Sequence, residues 1–232
     1  MRQLPLAVRL PDTALFSTYY PGPNDRAVAY LEELGQGRAA AGAWLWGGRG
    51  VGKTHLLQAA CRAAGEGGVA ALYLPLAQLA DYGAAPLAGL GAQGLIAIDD
   101  LDRAAGRDGL ERALFRLYND LQDAGGKLLV ASRAAPAELP IELADLRSRL
   151  GALVVYQLRR LDDAECVEAL RMRAAGRGLE LPADTARFLM RRLPRDIGAL
   201  CDWLDRLDRA SLAAQRRLTV PFVRDVLARD PV

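Results

Sequence analysis

Lysine is almost absent from this chain of 232 residues: of its 30 basic residues, all but Lys53 and Lys127 are arginine. A bias so even along the chain reads as an Ala/Arg-rich composition and says little about phosphate recognition, so a lysine that is kept stands out. Histidine occurs once, at His55. With no cysteine or carboxylate cluster around it in sequence, it reads as a packing or hydrogen-bonding residue rather than a catalytic one. The cysteines, Cys61, Cys166 and Cys201, are few, far apart and odd in number, so neither a disulfide framework nor a zinc site is suggested. They read as small apolar residues on helix faces. No apolar run reaches the roughly 18–20 residues that span a bilayer. The first twelve residues, MRQLPLAVRLPD, carry Arg9 inside too short an apolar stretch to be a secretory signal. No membrane partner is expected, and a cytoplasmic protein follows by default. A dominant charge is missing too: 30 basic against 28 acidic residues leave +2, which gives no global footprint for DNA.

What is present is ordinary for a folded domain, 51% hydrophobic and 25% charged. The length suffices for a sizeable core, as one large domain or a domain with an appendage. Short apolar runs recur at Ala43–Trp46, Val69–Leu74, Leu95–Ile98, Leu128–Ala131 and Leu153–Tyr156, each bounded by turn or polar residues. Such runs predict buried strands of a parallel sheet. Between them lie helical patterns over Thr54–Ala64, a broken stretch across residues 76–91, Gly109–Ala124 (Leu110, Leu114, Leu117, Tyr118 and Leu121 on one face) and Ile141–Leu150. Strand–helix alternation with right-handed crossovers gives a three-layer α/β sandwich on a five-stranded parallel sheet. After Tyr156 the strand pattern stops, and Asp162–Ala175, Pro182–Leu193, Arg195–Gln215 and Thr219–Arg229 all read as helices. Asp162 and Asp163 can cap the first of them and Thr219 the last. The expected organisation is a terminal peptide (residues 1–12), an α/β core (13–158) and a small all-helical lid (159–232).

Gly47-Gly48-Arg49-Gly50-Val51-Gly52-Lys53-Thr54 matches the P-loop pattern G-x-x-x-x-G-K-[ST] at every fixed position, between an apolar strand and a helix. Glycines let backbone N–H groups converge on phosphate oxygens, and the helix N-terminus adds partial positive charge. Lys53 reaches the β- and γ-phosphates, and Thr54 supplies a hydroxyl to Mg²⁺. His55, directly after Thr54, is taken with this nucleotide-lining stretch. Leu95–Ile98 delivers Asp99 and Asp100 to the carboxyl edge of the sheet, where open α/β sheets bind ligands. Asp99 is placed to hold Mg²⁺ through water. Asp100 stands where a water-activating carboxylate is usually the longer Glu, so intrinsic hydrolysis is expected to be slow. Ser132 ends the next strand, followed by Arg133. Two readings of Ser132 stand: a polar group orienting water near a γ-phosphate, or a serine turn that ends a strand.

With these pieces placed, the chain resembles the AAA+ ATPase family, and within it the DnaA branch with its replication-regulatory relatives. The segments that carry this are FSTYYPGPND (16–25), WLWGGRGVGKTHLLQAAC (44–61), LYNDLQDAGGKLLVASRAAP (117–136), LADLRSRL (143–150) and LDRASLAAQRRLTVPFVRDVL (207–227), spread over essentially the whole chain. The resemblance implies a sheet order of 5-1-4-3-2, with ADP or ATP and Mg²⁺ as ligands. Tyr20, Pro21, Gly22 and Asn24 look like the family's adenine-lining box. Arg149, in Leu146-Arg147-Ser148-Arg149-Leu150, matches the arginine finger that such proteins turn toward a neighbour's nucleotide. Gln3, Leu4, Leu6 and Val8, stiffened by Pro5, resemble a peptide that docks on the DNA polymerase III β sliding clamp.

Two departures qualify the resemblance. The chain ends at Val232 without the helix-turn-helix domain of DnaA, so no direct sequence-specific DNA binding is expected. The lid's sensor arginine position falls on Gly198, with Arg195 nearly a helical turn away. The implied function is a nucleotide-bound regulator of replication initiation that stimulates hydrolysis of ATP held by the initiator DnaA while docked on the clamp; a homodimer is compatible with it. A self-contained DnaA-like ATPase or loader acting on DNA is the alternative, and a small-molecule P-loop kinase a third. Trp203 and Arg206 fit a partner surface or a half-buried lid face equally well.

Overall fold

The computed structural model describes residues 14–193 and 197–229. They fall into two compact units, one of residues 14–16, 24–49 and 53–159, the other of residues 17–23, 50–52 and 160–229.

The first unit is an α/β sandwich. Strands β1 (Ala43–Trp46), β2 (Ala71–Pro75), β3 (Leu95–Asp99), β4 (Lys127–Ser132) and β5 (Val154–Gln157) pair in the order β2-β3-β4-β1-β5, every pairing parallel. This is the expected 5-1-4-3-2 order. The interior strands explain the apolar runs, since every residue of β3 is buried and β4 is buried from Leu128 onward. At the edge, β5 alternates half-buried and exposed residues. Alternate side chains face opposite ways. Trp44, Ile96, Ile98, Leu128 and Val130 pack with α4 (Asp108–Asp123) and α5 (Ala144–Leu150), whose buried residues include Leu114, Leu121, Leu146 and Leu150. Leu45, Leu95, Ala97 and Leu129, of opposite parity, are buried too, while α1 (Asp25–Gly35) and α2 (Lys53–Glu66) pack together and α2 lies on the sheet. Gly42, just before β1, allows the close strand approach there: a Cβ would sit 2.0 Å from the Leu128 carbonyl oxygen.

Apart from shifts of a residue or two at element ends, the structure departs from the sequence expectation in three places. α1 lies outside the expected helices, although Ala27, Val28, Leu31 and Leu34 recur at helical spacing and are buried. β2 begins at Ala71 rather than Val69, because the Val69 amide is used to end α2. It donates to Ala64 O at 2.8 Å, after Gly68 turns left-handed at φ 77°. The helix expected from Ile141 starts only at Ala144, because the amides of Glu142 and Leu143 donate to the Glu111 carboxylate. The stretch after β2 is broken, as expected, into the four-residue α3 (Leu76–Leu79) and two 3₁₀ turns, Ala80–Tyr82 and Ala85–Leu87.

The second unit contains α6 (Asp163–Ala175), α7 (Ala183–Arg192), α8 (Ile197–Ala214) and α9 (Val220–Arg229). Its core is formed by Leu170, Leu189, Trp203, Leu204, Phe222, Val223 and their neighbours. Asp162 caps α6 with a reciprocal box: its Oδ1 accepts the Glu165 amide at 2.8 Å, and Glu165 Oε2 accepts the Asp162 amide at 2.8 Å. Trp203 belongs to this core at 7% exposure, with the Arg206 guanidinium 4.8 Å from its ring centroid. Trp203 is thus a core residue of this unit, and Arg206 lies exposed over its ring. Among the described residues, no helix is long and apolar enough to cross a membrane.

Candidate functional site

The carboxyl edge of the sheet collects the predicted residues of the first unit. In register, Trp46 lies beside Ser132 and Ile98 beside Val130, so β1, β3 and β4 end at one level. From the start of α2, Thr54 Oγ1 donates to Asp99 Oδ2 at 2.6 Å. Tyr73, on β2, donates its hydroxyl to the same oxygen at 2.8 Å, and the Asp100 amide donates to Asp99 Oδ1 at 3.0 Å. Asp99 is 3% exposed and thus held on both oxygens. The Thr54 proton points at Asp99, which leaves the hydroxyl lone pairs facing away from the carboxylate. A hydroxyl and a carboxylate are hard oxygen donors of the kind Mg²⁺ takes alongside phosphate oxygens and water. Among the described residues, no group of three or more His, Cys, Asp or Glu forms a cage for another metal.

Lys53 turns back on its own loop, donating to Gly47 O at 2.7 Å and Gly48 O at 2.9 Å. Burial lowers its pKa, while Asp99, Asp102 and Asp100 oppose that shift. The Asp100 carboxyl is shifted upward, first by burial and then by the Asp99 charge, with Arg133 opposing. Asp100 occupies the left-handed region at φ 54°, ψ 49°, which Asp tolerates better than most residues. Asp102, in the 3₁₀ turn Leu101–Arg103, accepts the Arg133 amide on both oxygens at 3.0 and 3.1 Å, and so ties the end of β4 to the turn after β3. Sequence reasoning does not single out Tyr73 or Asp102. Strand register brings Tyr73 to the motif, while the 3₁₀ turn after Asp100 places Asp102 beside it.

Ser132 is fully buried. Its hydroxyl accepts the Trp44 indole N–H at 2.7 Å and donates its own proton to Ala134 O at 2.7 Å. These bonds fit the strand-ending turn of the two readings. Asn24 is buried and forms a reciprocal pair with the Arg159 backbone, its Nδ2 donating at 3.0 Å and its Oδ1 accepting at 2.7 Å. His55 Nε2 donates to Leu15 O at 2.8 Å, the hydrogen-bonding role expected of it. Arg149 is exposed on the last turn of α5, while Arg147 donates to Glu142 O at 3.3 Å.

In the second unit, the middle of the P-loop lies against the segment preceding α1. Tyr19 donates to Val51 O at 3.1 Å. Gly52 has φ 92°, and a Cβ there would come within 2.5 Å of the Tyr19 ring, so two constraints demand glycine. Tyr19, which the sequence reading does not single out, makes this contact. Tyr20, Pro21 and Gly22 are half-buried nearby, and a Cβ on Gly22 would meet Leu161 at 2.9 Å. Gly198 is exposed near the start of α8. Gln3, Leu4, Leu6, Val8 and Arg195 lie outside the described residues.

Residues 162–227 match the family model described as "Hda, lid domain". That stretch is thus similar to the lid of Hda, and the chain as a whole has the fold of DnaA AAA+ domains. Among solved structures, it is similar to domain III of the Thermotoga maritima replication initiation protein DnaA, at 22% identity and TM-score 0.76, over 95% of this chain and 98% of that one. It is also similar to a replication initiator DnaA bound to AMPPCP and single-stranded DNA, at 19% identity and TM-score 0.70, over 86% of this chain and 66% of that one. The Thermotoga maritima RuvB Holliday junction branch migration motor matches at 17% identity and TM-score 0.67, over 92% of this chain and 73% of that one. The chain thus spans about two thirds of the longer initiator chain.

Proposed function

We propose that this protein is a regulator of replication initiation that binds adenine nucleotide and stimulates hydrolysis of ATP held by a DnaA-type initiator. The observation that carries the reading is the match of residues 162–227 to the Hda lid, joined to a DnaA-like core with a complete P-loop. Similar DnaA structures hold AMPPCP, which supports a nucleotide on the cradle of residues 47–54. In this reading the Lys53 ammonium exchanges its Gly47 and Gly48 carbonyls for phosphate oxygens. Thr54 and Asp99 hold Mg²⁺, which supplies charge neutralisation at the phosphates.

The regulatory act belongs to Arg149. A guanidinium set against a partner's γ-phosphate stabilises the charge that develops as the terminal bond breaks, an effect of roughly 10³–10⁵ in related enzymes. Its exposure on α5 leaves it able to meet a second molecule. The terminal peptide with Gln3, Leu4, Leu6 and Val8 docks on the β sliding clamp. That tether raises the effective concentration at loaded DNA, so weak contacts with the initiator suffice.

The test is initiator ATP hydrolysis with this protein present, with and without DNA-loaded clamp. Arg149→Ala is expected to reduce the stimulation at least 100-fold while leaving nucleotide binding by this chain intact. Removing residues 1–8 is expected to abolish the clamp-dependent part alone. Wild-type stimulation by Arg149→Ala would refute the mechanism. A second reading, a self-contained ATPase acting on DNA, shares the Thr54–Asp99 pair with the first. It requires steady-state hydrolysis by the isolated chain and salt-dependent DNA binding.

A further inference from the structure

Glu111 is a buried charge that the nucleotide site does not use. It lies on α4 at 1% exposure, with its carboxylate turned toward the segment that leads into α5. Oε1 accepts the amides of Gly106 at 2.8 Å and Glu142 at 3.1 Å; Oε2 accepts those of Glu142 at 3.0 Å and Leu143 at 2.7 Å. All of these partners are backbone N–H groups, from two separate loops. A carboxylate out of water persists only if its lone pairs are filled, and here they are filled by peptide groups whose positions it thereby fixes.

Two of those peptide groups open the helix that carries Arg149. Leu143 is the residue at the N-cap of α5, extended at φ −69°, ψ 106°. Glu142 is held on both sides of its Cα, its amide by Glu111 and its carbonyl by the Arg147 guanidinium at 3.3 Å. α5 is only seven residues long and buries just Leu146 and Leu150. So short a helix has little stability or direction of its own. Arg149 is on its exposed side, and among the described residues no hydrogen bond or ion pair engages its guanidinium. The cation is left available, and its aim depends on how the helix is anchored.

We propose that Glu111 is a positioning residue: by clamping residues 142 and 143 it sets the direction in which α5 presents Arg149 to a phosphate on a second molecule. This rests on the regulatory reading of Arg149. A displacement of about 1 Å at a reacting phosphate is enough to cost on the order of 100-fold in rate. Glu111→Gln keeps the size but turns an amide N–H₂ toward backbone donors, so at least one clamp bond is lost. Leu143→Pro removes one clamped amide from the other side, at a φ that proline accepts.

Both variants are to be compared with wild type and Arg149→Ala in full-length protein. Three quantities are read: adenine-nucleotide affinity of this chain, the maximal stimulated hydrolysis by the initiator at saturating protein, and the concentration giving half of it. The expected result for each variant is a fall of at least tenfold in the maximum, with nucleotide affinity and half-saturation within twofold of wild type. If Arg149→Ala abolishes stimulation while Glu111→Gln and Leu143→Pro keep the wild-type maximum, the positioning role is wrong and the regulatory reading stands. Equal stimulation by Arg149→Ala and wild type would remove the regulatory reading and this inference with it. A parallel loss of nucleotide affinity in both variants would mark Glu111 as a general support of the fold and overturn the assignment. Should Glu111→Gln fail to fold, Leu143→Pro decides by the same criteria.

Discussion

Ser132 is a residue whose neighbours decide its meaning. With its proton on Ala134 O and a lone pair on the Trp44 indole, it satisfies a donor buried in the interior of the sheet. Ser132→Ala is therefore expected to destabilise the protein by about 1–3 kcal/mol, because Trp44 Nε1 would lose its acceptor away from water. Urea unfolding measures this, and an unchanged midpoint with altered hydrolysis would favour the water-orienting reading instead. Asp100 behaves in the opposite sense. Its folded-state pKa is raised by burial and by Asp99, so the native state keeps its proton to higher pH than the unfolded chain. Its contribution is most favourable below the ordinary carboxylate range and is lost as pH rises through the raised value. Asp100→Asn, which also tolerates the left-handed backbone, should raise the melting temperature at pH 7. The gain should shrink toward pH 4, and a lower melting temperature at pH 7 would contradict the assignment.

Elements show where local pattern is enough and where it is not. The P-loop, the apolar strands and the Asp162–Glu165 capping box are legible because their residues lie within a few positions of one another. Asp162→Ala is expected to cost about 1 kcal/mol of lid stability, within a range of roughly 0.5–2. Hydrogen exchange at the amides of 162 and 165 should speed up selectively, and unchanged exchange would show the box to be idle. The start of α5 is illegible for the complementary reason. Residues 141–143 carry a helical pattern, but a carboxylate 31 positions earlier takes the amides of Glu142 and Leu143. α1 is a different case, since its spacing of Val28, Leu31 and Leu34 is readable in principle.

For the molecule as a whole, the proposed nucleotide binding links to stability. A ligand that binds only the folded state at 100 times its dissociation constant adds about 2.7 kcal/mol. ADP with Mg²⁺ should therefore raise the melting temperature of the wild-type protein, and Lys53→Ala should erase the shift. A melt insensitive to ADP and ATP would argue against the cradle as a working site.

The sequence by itself determined the strand–helix alternation, the P-loop, the acids that end β3 and the helical character of the lid. Each of these is written in neighbouring residues whose periodicity or spacing has one physical interpretation. Tertiary structure alone decided that Tyr73 shares Asp99 with Thr54, that Ser132 accepts the Trp44 indole N–H, that Tyr19 meets Val51, and that Glu111 holds the segment leading into α5. Hydrogen bonds between residues far apart in sequence carry no local signature, because they exist only once the sheet register and helix packing have brought donor and acceptor within about 3 Å.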